Sequence, residues 1–101
     1  MAVEHGDKIW VDGRILPWAE GSRLSVLTHS LHYGVGAFEG IRAYRRAGGE
    51  TCVFRLGEHI RRLFDSCKLV LMEPNVTFEA CATGASRFCA RARCRKGTCG
   101  P

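Results

Sequence analysis

The sequence predicts an α+β fold, a small, mainly antiparallel sheet of two hairpins with one long helix on a face. Three observations carry that expectation. Asp12-Gly13 stands between two apolar runs, residues 37–44 alternate at strand spacing ahead of a glycine-closed return, and an apolar stripe recurs at helical spacing between residues 56 and 73. Such a stripe needs a sheet to cover, and four or five strands from two hairpins supply one.

Taken in order, the run from Ile9 to Pro17 is the clearest local signal. Asp-Gly suits a type I′ turn, whose two central residues both need positive φ. A two-residue loop pairs Val11 with Arg14 and Trp10 with Ile15. Pro17 has no N–H and suits a strand end, and Trp18–Gly21 reads as a turn out of the hairpin. Residues 25–28 read as a short third strand or an extended lead-in. Thr28 or Ser30 can cap a single helical turn through Leu31 and His32, which Gly34 and Gly36 then stop.

From Ala37 to Tyr44 the chain alternates, with Phe38, Gly40, Arg42 and Tyr44 on one side and Ala37, Glu39, Ile41 and Ala43 on the other. Residues 45–50 form a polar loop closed by Gly48-Gly49, and residues 52–54 return as a strand. The helix follows over 56–73, with Ile60, Leu63, Phe64, Cys67, Val70 and Leu71 on one face. Glu58 suits its first turn and Lys68 its far end, and Pro74 stops it near Glu73. Residues 75–80 read as a loop and a helix start.

The last stretch changes character. Fifteen of residues 81–101 are Ala, Arg, Cys or Gly, and Phe88 is its one large apolar side chain. Such a segment is expected to bury too little surface to offset the entropy of ordering it. The division is therefore 1–80 as the folded body and 81–101 as an unrelated tail, disordered or the product of a shifted reading frame.

Composition limits the function classes. At 101 residues the chain is at most one domain. No apolar run approaches the roughly 18 residues of a membrane span, and the first residues have no secretory pattern, so the expected compartment is the cytoplasm. The net charge of +5 lies almost wholly in the tail: residues 1–73 hold ten Lys/Arg against nine Asp/Glu, residues 74–101 five against one. A nucleic-acid-binding body is thus not expected.

Three stretches together carry a resemblance: residues 9–13 (Ile-Trp-Val-Asp-Gly), residues 28–44 from Thr28 through His29, Tyr33, Phe38 and Arg42 to Tyr44, and residues 53–68 with Glu58-His-Ile-Arg-Arg-Leu63. They are similar to the N-terminal domain of the branched-chain amino acid aminotransferases, fold-type IV pyridoxal-phosphate enzymes, over about residues 8 to 80. The resemblance implies transfer of an amino group between leucine, isoleucine or valine and 2-oxoglutarate, with pyridoxal 5'-phosphate as cofactor, by a full-length homo-oligomer that is a dimer or a larger assembly of dimers. It implies that Arg62 grips the cofactor phosphate, that Tyr33 and Phe38 line the apolar substrate pocket, and that Gly40 and Arg42 line the strand beside it. The family's Schiff-base lysine falls beyond the end of this chain, and none of Lys8, Lys68 or Lys96 matches it. The chain alone is accordingly expected to have no catalytic residue and no transaminase activity. D-amino acid aminotransferase and aminodeoxychorismate lyase share the fold and stand as alternatives.

Physical chemistry is consistent with those roles. A branched aliphatic substrate needs an aromatic-lined cavity, a glycine admits close approach of a ligand, and a planar guanidinium offers a phosphate two parallel hydrogen bonds. Each residue also has a plainer role. Phe38 and Tyr33 can be core aromatics and Arg62 a solvated arginine, as Arg61 is expected to be. His29 and His32 stand at i, i+3 but lack further ligands nearby, so structural hydrogen bonding is expected and a metal is not. A rival of another class is a zinc-bound, basic nucleic-acid module built on Cys81, Cys89, Cys94 and Cys99, although their spacing lacks the close pairs of structural zinc sites. Disulfides are not expected without a secretory signal.

Overall fold

The computed structural model describes residues 5–91. Strands β1 (Lys8–Val11) and β2 (Arg14–Pro17) pair antiparallel, with Trp10 opposite Ile15 and Val11 opposite Arg14, the predicted register. Asp12 and Gly13 have φ of 48° and 85°, the two positive values that a type I′ turn requires. The hairpin leaves through a one-turn helix α1 (Trp18–Gly21), whose buried Gly21 sits against Ile9 and Leu16. A Cβ at Gly21 would lie 2.1 Å from Ile9 Cγ2, so this approach requires glycine.

Residues 25–28 form no strand. Ser25 turns the chain, accepting at Oγ from Leu27 N–H (3.1 Å) and at its carbonyl from Thr28 N–H and Oγ1. A short helix α2 (His29–Tyr33) follows and ends on Gly34 at φ 65°, as the glycine predicts. The second hairpin joins β3 (Ala43–Arg45) to β4 (Thr51–Val53), with Tyr44 opposite Cys52. Its loop is closed by Arg46 N–H donating to the Glu50 carbonyl at 2.8 Å.

Two features of the predicted sheet change. Only Ala43–Arg45 of the alternating stretch is paired, and the two hairpins remain separate two-stranded sheets rather than one sheet of four or five strands. Residues 37–42 nevertheless keep the alternation: Ala37, Glu39 and Ile41 are half-buried, and Phe38, Gly40 and Arg42 are exposed. Parity here comes from the extended backbone lying along the body, without a ladder.

Helix α3 (Leu56–Leu69) is the predicted long helix, with Ile60 and Cys67 buried at i, i+7 and Leu63 and Phe64 half-buried. It ends before Pro74. Met72 N–H donates to the Cys67 carbonyl and Leu71 N–H to the Lys68 carbonyl, the paired bonds of a Schellman cap, with Leu71 at φ 55° where glycine usually stands. Val70 and Leu71 therefore leave the stripe and are exposed.

The largest difference lies past residue 80. Helix α4 (Phe78–Arg91) runs through the boundary drawn at Ala80, so residues 81–91 are ordered helix. Thr77 caps it, its Oγ1 accepting from Ala80 N–H at 3.2 Å. Alanine and arginine are strong helix formers, and Phe78, Cys81, Ala82, Ala85, Phe88 and Cys89 form an inward stripe of mostly small side chains. Small residues permit close approach: Gly84 meets the Trp10 ring, where a Cβ would come within 2.9 Å. Helix α4 packs on α3, β1 and β4 and so ties the two hairpins together, the part assigned to α3 by the sequence. Phe64 meets Phe78 edge-on at 6.1 Å, and the Arg61 guanidinium lies 5.9 Å above the Phe78 ring, so Arg61 is not merely solvated.

Candidate functional site

The extended stretch 37–42 passes beside the face of α3 that carries His59 and Arg62, which stand at i, i+3 and so project together. Parity turns Glu39 toward that face. Its side chain is only 6% exposed and takes three hydrogen bonds. Arg62 Nε donates to Oε2 at 2.8 Å, Arg62 Nη2 donates to Oε1, and His59 Nδ1 lies 2.9 Å from the same Oε1. Hydrogen bonds from Arg62 and then His59 hold the Glu39 carboxyl down to about 2, from an ordinary 4.5, against the opposing effect of burial. The same partnership raises Arg62 above its ordinary value.

Arg62 itself stays 67% exposed and lines an open cleft of about 280 Å³ with Arg55, Glu58 and His59. Arg55 sits at the N-terminal end of α3 with φ 55°, a conformation costly for a residue with a Cβ, and its Nε donates to Glu58 Oε1 at 3.1 Å. The Glu58 carboxyl lies below its ordinary range through its own backbone N–H first and Arg55 second.

Of the other predicted site residues, Phe38, Gly40 and Arg42 fall on the outward side of the same stretch, and Tyr33 is the last residue of α2. Phe38 is 90% exposed and Tyr33 73%, so neither is a core aromatic. Gly40 and Arg42 share the outward parity with Phe38, and a Cβ built on Gly40 would meet nothing within 4 Å. Arg62 is thereby joined to this stretch through Glu39, one residue from Phe38. No contact places Tyr33 on Arg62. A larger groove of about 990 Å³ between the first hairpin and α4, lined by Trp10, Asp12, Arg87 and Arg91 among others, includes none of the predicted residues.

Sequence reasoning missed Glu39 and His59. The signal for Glu39 was available, since an acid sharing parity with Ala37, Ile41 and Ala43 must be buried and therefore paired. His32 does take the structural role expected of it, its Nε2 lying 2.6 Å from the Val26 carbonyl. His29 stacks edge-on with Tyr33 at 5.5 Å. Among the described residues no group of three or more His, Cys, Asp or Glu could hold a metal ion, and no helix is long and apolar enough to cross a membrane. Cys94 and Cys99 of the zinc alternative lie outside the described residues. Cys81 and Cys89 are half-buried on α4, and burial pushes both thiols up, away from the thiolate a metal requires.

No protein-family model matches the chain. The branched-chain-amino-acid aminotransferase of Pseudomonas aeruginosa is 49% identical over 65 residues, 64% of this chain and 20% of that protein. The enzyme of the same name from Escherichia coli K12 is 44% identical over 69 residues, 68% of this chain and 22% of its own length. Among solved structures, the branched-chain aminotransferase of the thermophilic archaeon Thermoproteus uzoniensis with norvaline superposes with a TM-score of 0.70 at 40% identity, covering 80% of this chain and 27% of that one. The branched-chain amino acid aminotransferase of Thermobaculum terrenum in its PLP form gives 0.68, at 32% identity, over 82% and 27%. The chain spans about a fifth of the length of the relatives it matches, and over that span it is related to the branched-chain-amino-acid aminotransferases and shares their fold.

Proposed function

We propose that the chain supplies the phosphate grip and one apolar wall of a branched-chain amino acid transaminase site. The observation that carries the reading is the joining of Arg62 to the Phe38–Arg42 stretch through Glu39, which links a phosphate donor to an apolar, open face. The donor chemistry fits a phosphate. Of the guanidinium's five N–H groups, the Glu39 pair uses one from Nε and one from Nη2, leaving the remainder for a ligand in an exposed cleft that Arg55 also borders. Bound pyridoxal phosphate supplies the electron sink that lets an amino group move between an amino acid and a 2-oxo acid.

The chain's own residues then bind and orient. Arg62 holds the phosphate by charge-assisted hydrogen bonds, and Phe38 and Tyr33 offer ring faces to a branched aliphatic side chain. Gly40, two residues beyond Phe38, leaves open space at the backbone, and Arg42 follows at the same parity. The reading assigns the residues that finish the site, the cofactor-anchoring lysine among them, to the part of the relatives' length that this span does not cover. The reading places the whole protein in the cytoplasm, in amino-acid biosynthesis and in a homo-oligomer. Support for oligomerisation is the exposed apolar run of Leu24, Val26, Leu27, Leu31 and Tyr33.

Two measurements test the reading. The 101-residue chain incubated with pyridoxal phosphate, leucine and 2-oxoglutarate is expected to form no glutamate, and steady turnover would overturn the division of labour. Titration with inorganic phosphate is expected to show saturable binding that Arg62→Ala abolishes; equal binding by that variant would remove Arg62 from the role.

A further inference from the structure

We propose that Glu39 is a positioning residue: it holds the Arg62 guanidinium in one orientation, with its remaining N–H groups turned to a phosphate in the cleft. The inference deepens the reading above and rests on Arg62 being the phosphate grip.

Geometry carries the argument. An arginine that is 67% exposed has many rotamers open to it, and binding a ligand through it costs the entropy of choosing one. Glu39 removes that choice in advance. Its carboxylate meets Nε and Nη2 side by side, the fork-to-fork geometry that fixes both the direction and the plane of a guanidinium. The carboxylate is itself fixed, because its side chain is almost fully buried on an inward-facing position of the extended stretch, and His59 Nδ1 holds Oε1 at 2.9 Å. Each member of the chain of contacts is therefore more confined than the next, from Glu39 at 6% exposed through His59 at 27% to Arg62 at 67%.

Charge supports the same assignment. A carboxylate held ionised down to about pH 2 keeps Arg62 paired throughout the range in which a phosphate carries charge. The carboxylate occupies one edge of the guanidinium only, so ligand and Glu39 do not compete for the same N–H groups. The plainer role for this pair is a brace fastening residues 37–42 to α3, and the two roles predict different measurements.

The test is inorganic phosphate titrated into the full 101-residue chain and its Glu39→Gln and Arg62→Ala variants, with thermal midpoints recorded alongside. Releasing one long side chain from a preset orientation is expected to weaken phosphate binding about tenfold in Glu39→Gln. A brace alone would lower the midpoint and leave the affinity of the folded chain unchanged, which overturns the proposal. If Arg62→Ala binds as well as the parent, the phosphate reading fails; if Arg62→Ala abolishes binding while Glu39→Gln does not weaken it, only the positioning role fails. Should Glu39→Gln not fold, the parent chain still decides. Its Arg62 Nε–H resonance, assigned with Arg62→Lys, is expected to hold its position during titration while the Nη resonances move. Loss or movement of the Nε–H signal as phosphate displaces Glu39 would refute the proposal.

Discussion

Replacing Leu71 with glycine stabilises the chain by roughly 0.75 kcal/mol, within a span of about 0 to 1.5, the balance of two backbone effects of opposite sign. Leu71 occupies the left-handed position of the α3 cap at φ 55°, where a Cβ costs about 1 to 2 kcal/mol. Glycine removes that cost and gives back about 0.5 to 1 kcal/mol through the greater freedom of the unfolded chain. Nothing is lost from packing, because the leucine side chain is 93% exposed. The cap bonds, from Met72 N–H to the Cys67 carbonyl at 2.9 Å and from Leu71 N–H to the Lys68 carbonyl at 3.1 Å, use backbone atoms and survive the change. In a domain of this size each kcal/mol moves the melting midpoint by roughly 4 to 8 °C. Thermal and urea unfolding of Leu71→Gly should be compared with Leu71→Ala, which trims the side chain but keeps the Cβ and is expected to stay within about 0.5 kcal/mol of the parent. If the glycine variant is no more stable than the alanine one, the backbone at Leu71 carries no such conformational cost.

Three further outcomes follow from the same geometry. Arg55→Gly relieves a similar backbone conformation but removes a side chain lining the cleft proposed to take a phosphate, so it should raise the melting midpoint while weakening phosphate binding in the titration used for Arg62. Gly84→Leu sets a large side chain where even a Cβ lies 2.9 Å from the Trp10 ring; a loss of about 1 to 3 kcal/mol and a red shift of tryptophan emission are expected, and an unchanged spectrum would mean that α4 is not seated on the first hairpin. The Glu39 carboxyl is lower in the folded than in the unfolded chain, so its stabilising effect is complete above pH 4.5 and is lost as pH falls toward about 2. Glu39→Gln should flatten the acid limb of the stability profile in that window, with the lowered Glu58 leaving some residual slope; an identical limb would contradict the pairing.

What was legible in the sequence was whatever short-range chemistry determines. Asp12-Gly13 specifies a turn type, the turn specifies the register, and the observed pairing of Trp10 with Ile15 follows. Gly34 stops α2 for the same kind of local reason. The path of the two hairpins was not legible, because whether two-stranded ribbons join depends on partners distant in the chain. Helix α4 escapes a reading by composition for a different reason. A stretch of small side chains has little apolar surface per residue, yet small residues let a helix come close enough for Gly84 to rest against Trp10. Counting large apolar side chains undervalues that kind of packing. The Thr77 cap and the stripe from Phe78 to Cys89 were the available signals.

The site shows the same division between parity and partnership. Alternation from Ala37 to Ala43 assigns Phe38, Gly40 and Arg42 to one side by spacing alone, and their common exposure follows from it. Alternation also places Glu39 on the opposite, inward side, and an ionised carboxylate cannot be buried there without donors. Identifying the donors requires a contact 23 residues away in sequence, which no local pattern encodes. Once Arg62 is known to be that donor, its exposure no longer marks an idle surface arginine. One edge of its guanidinium is fixed by a buried acid and the rest faces an open cleft.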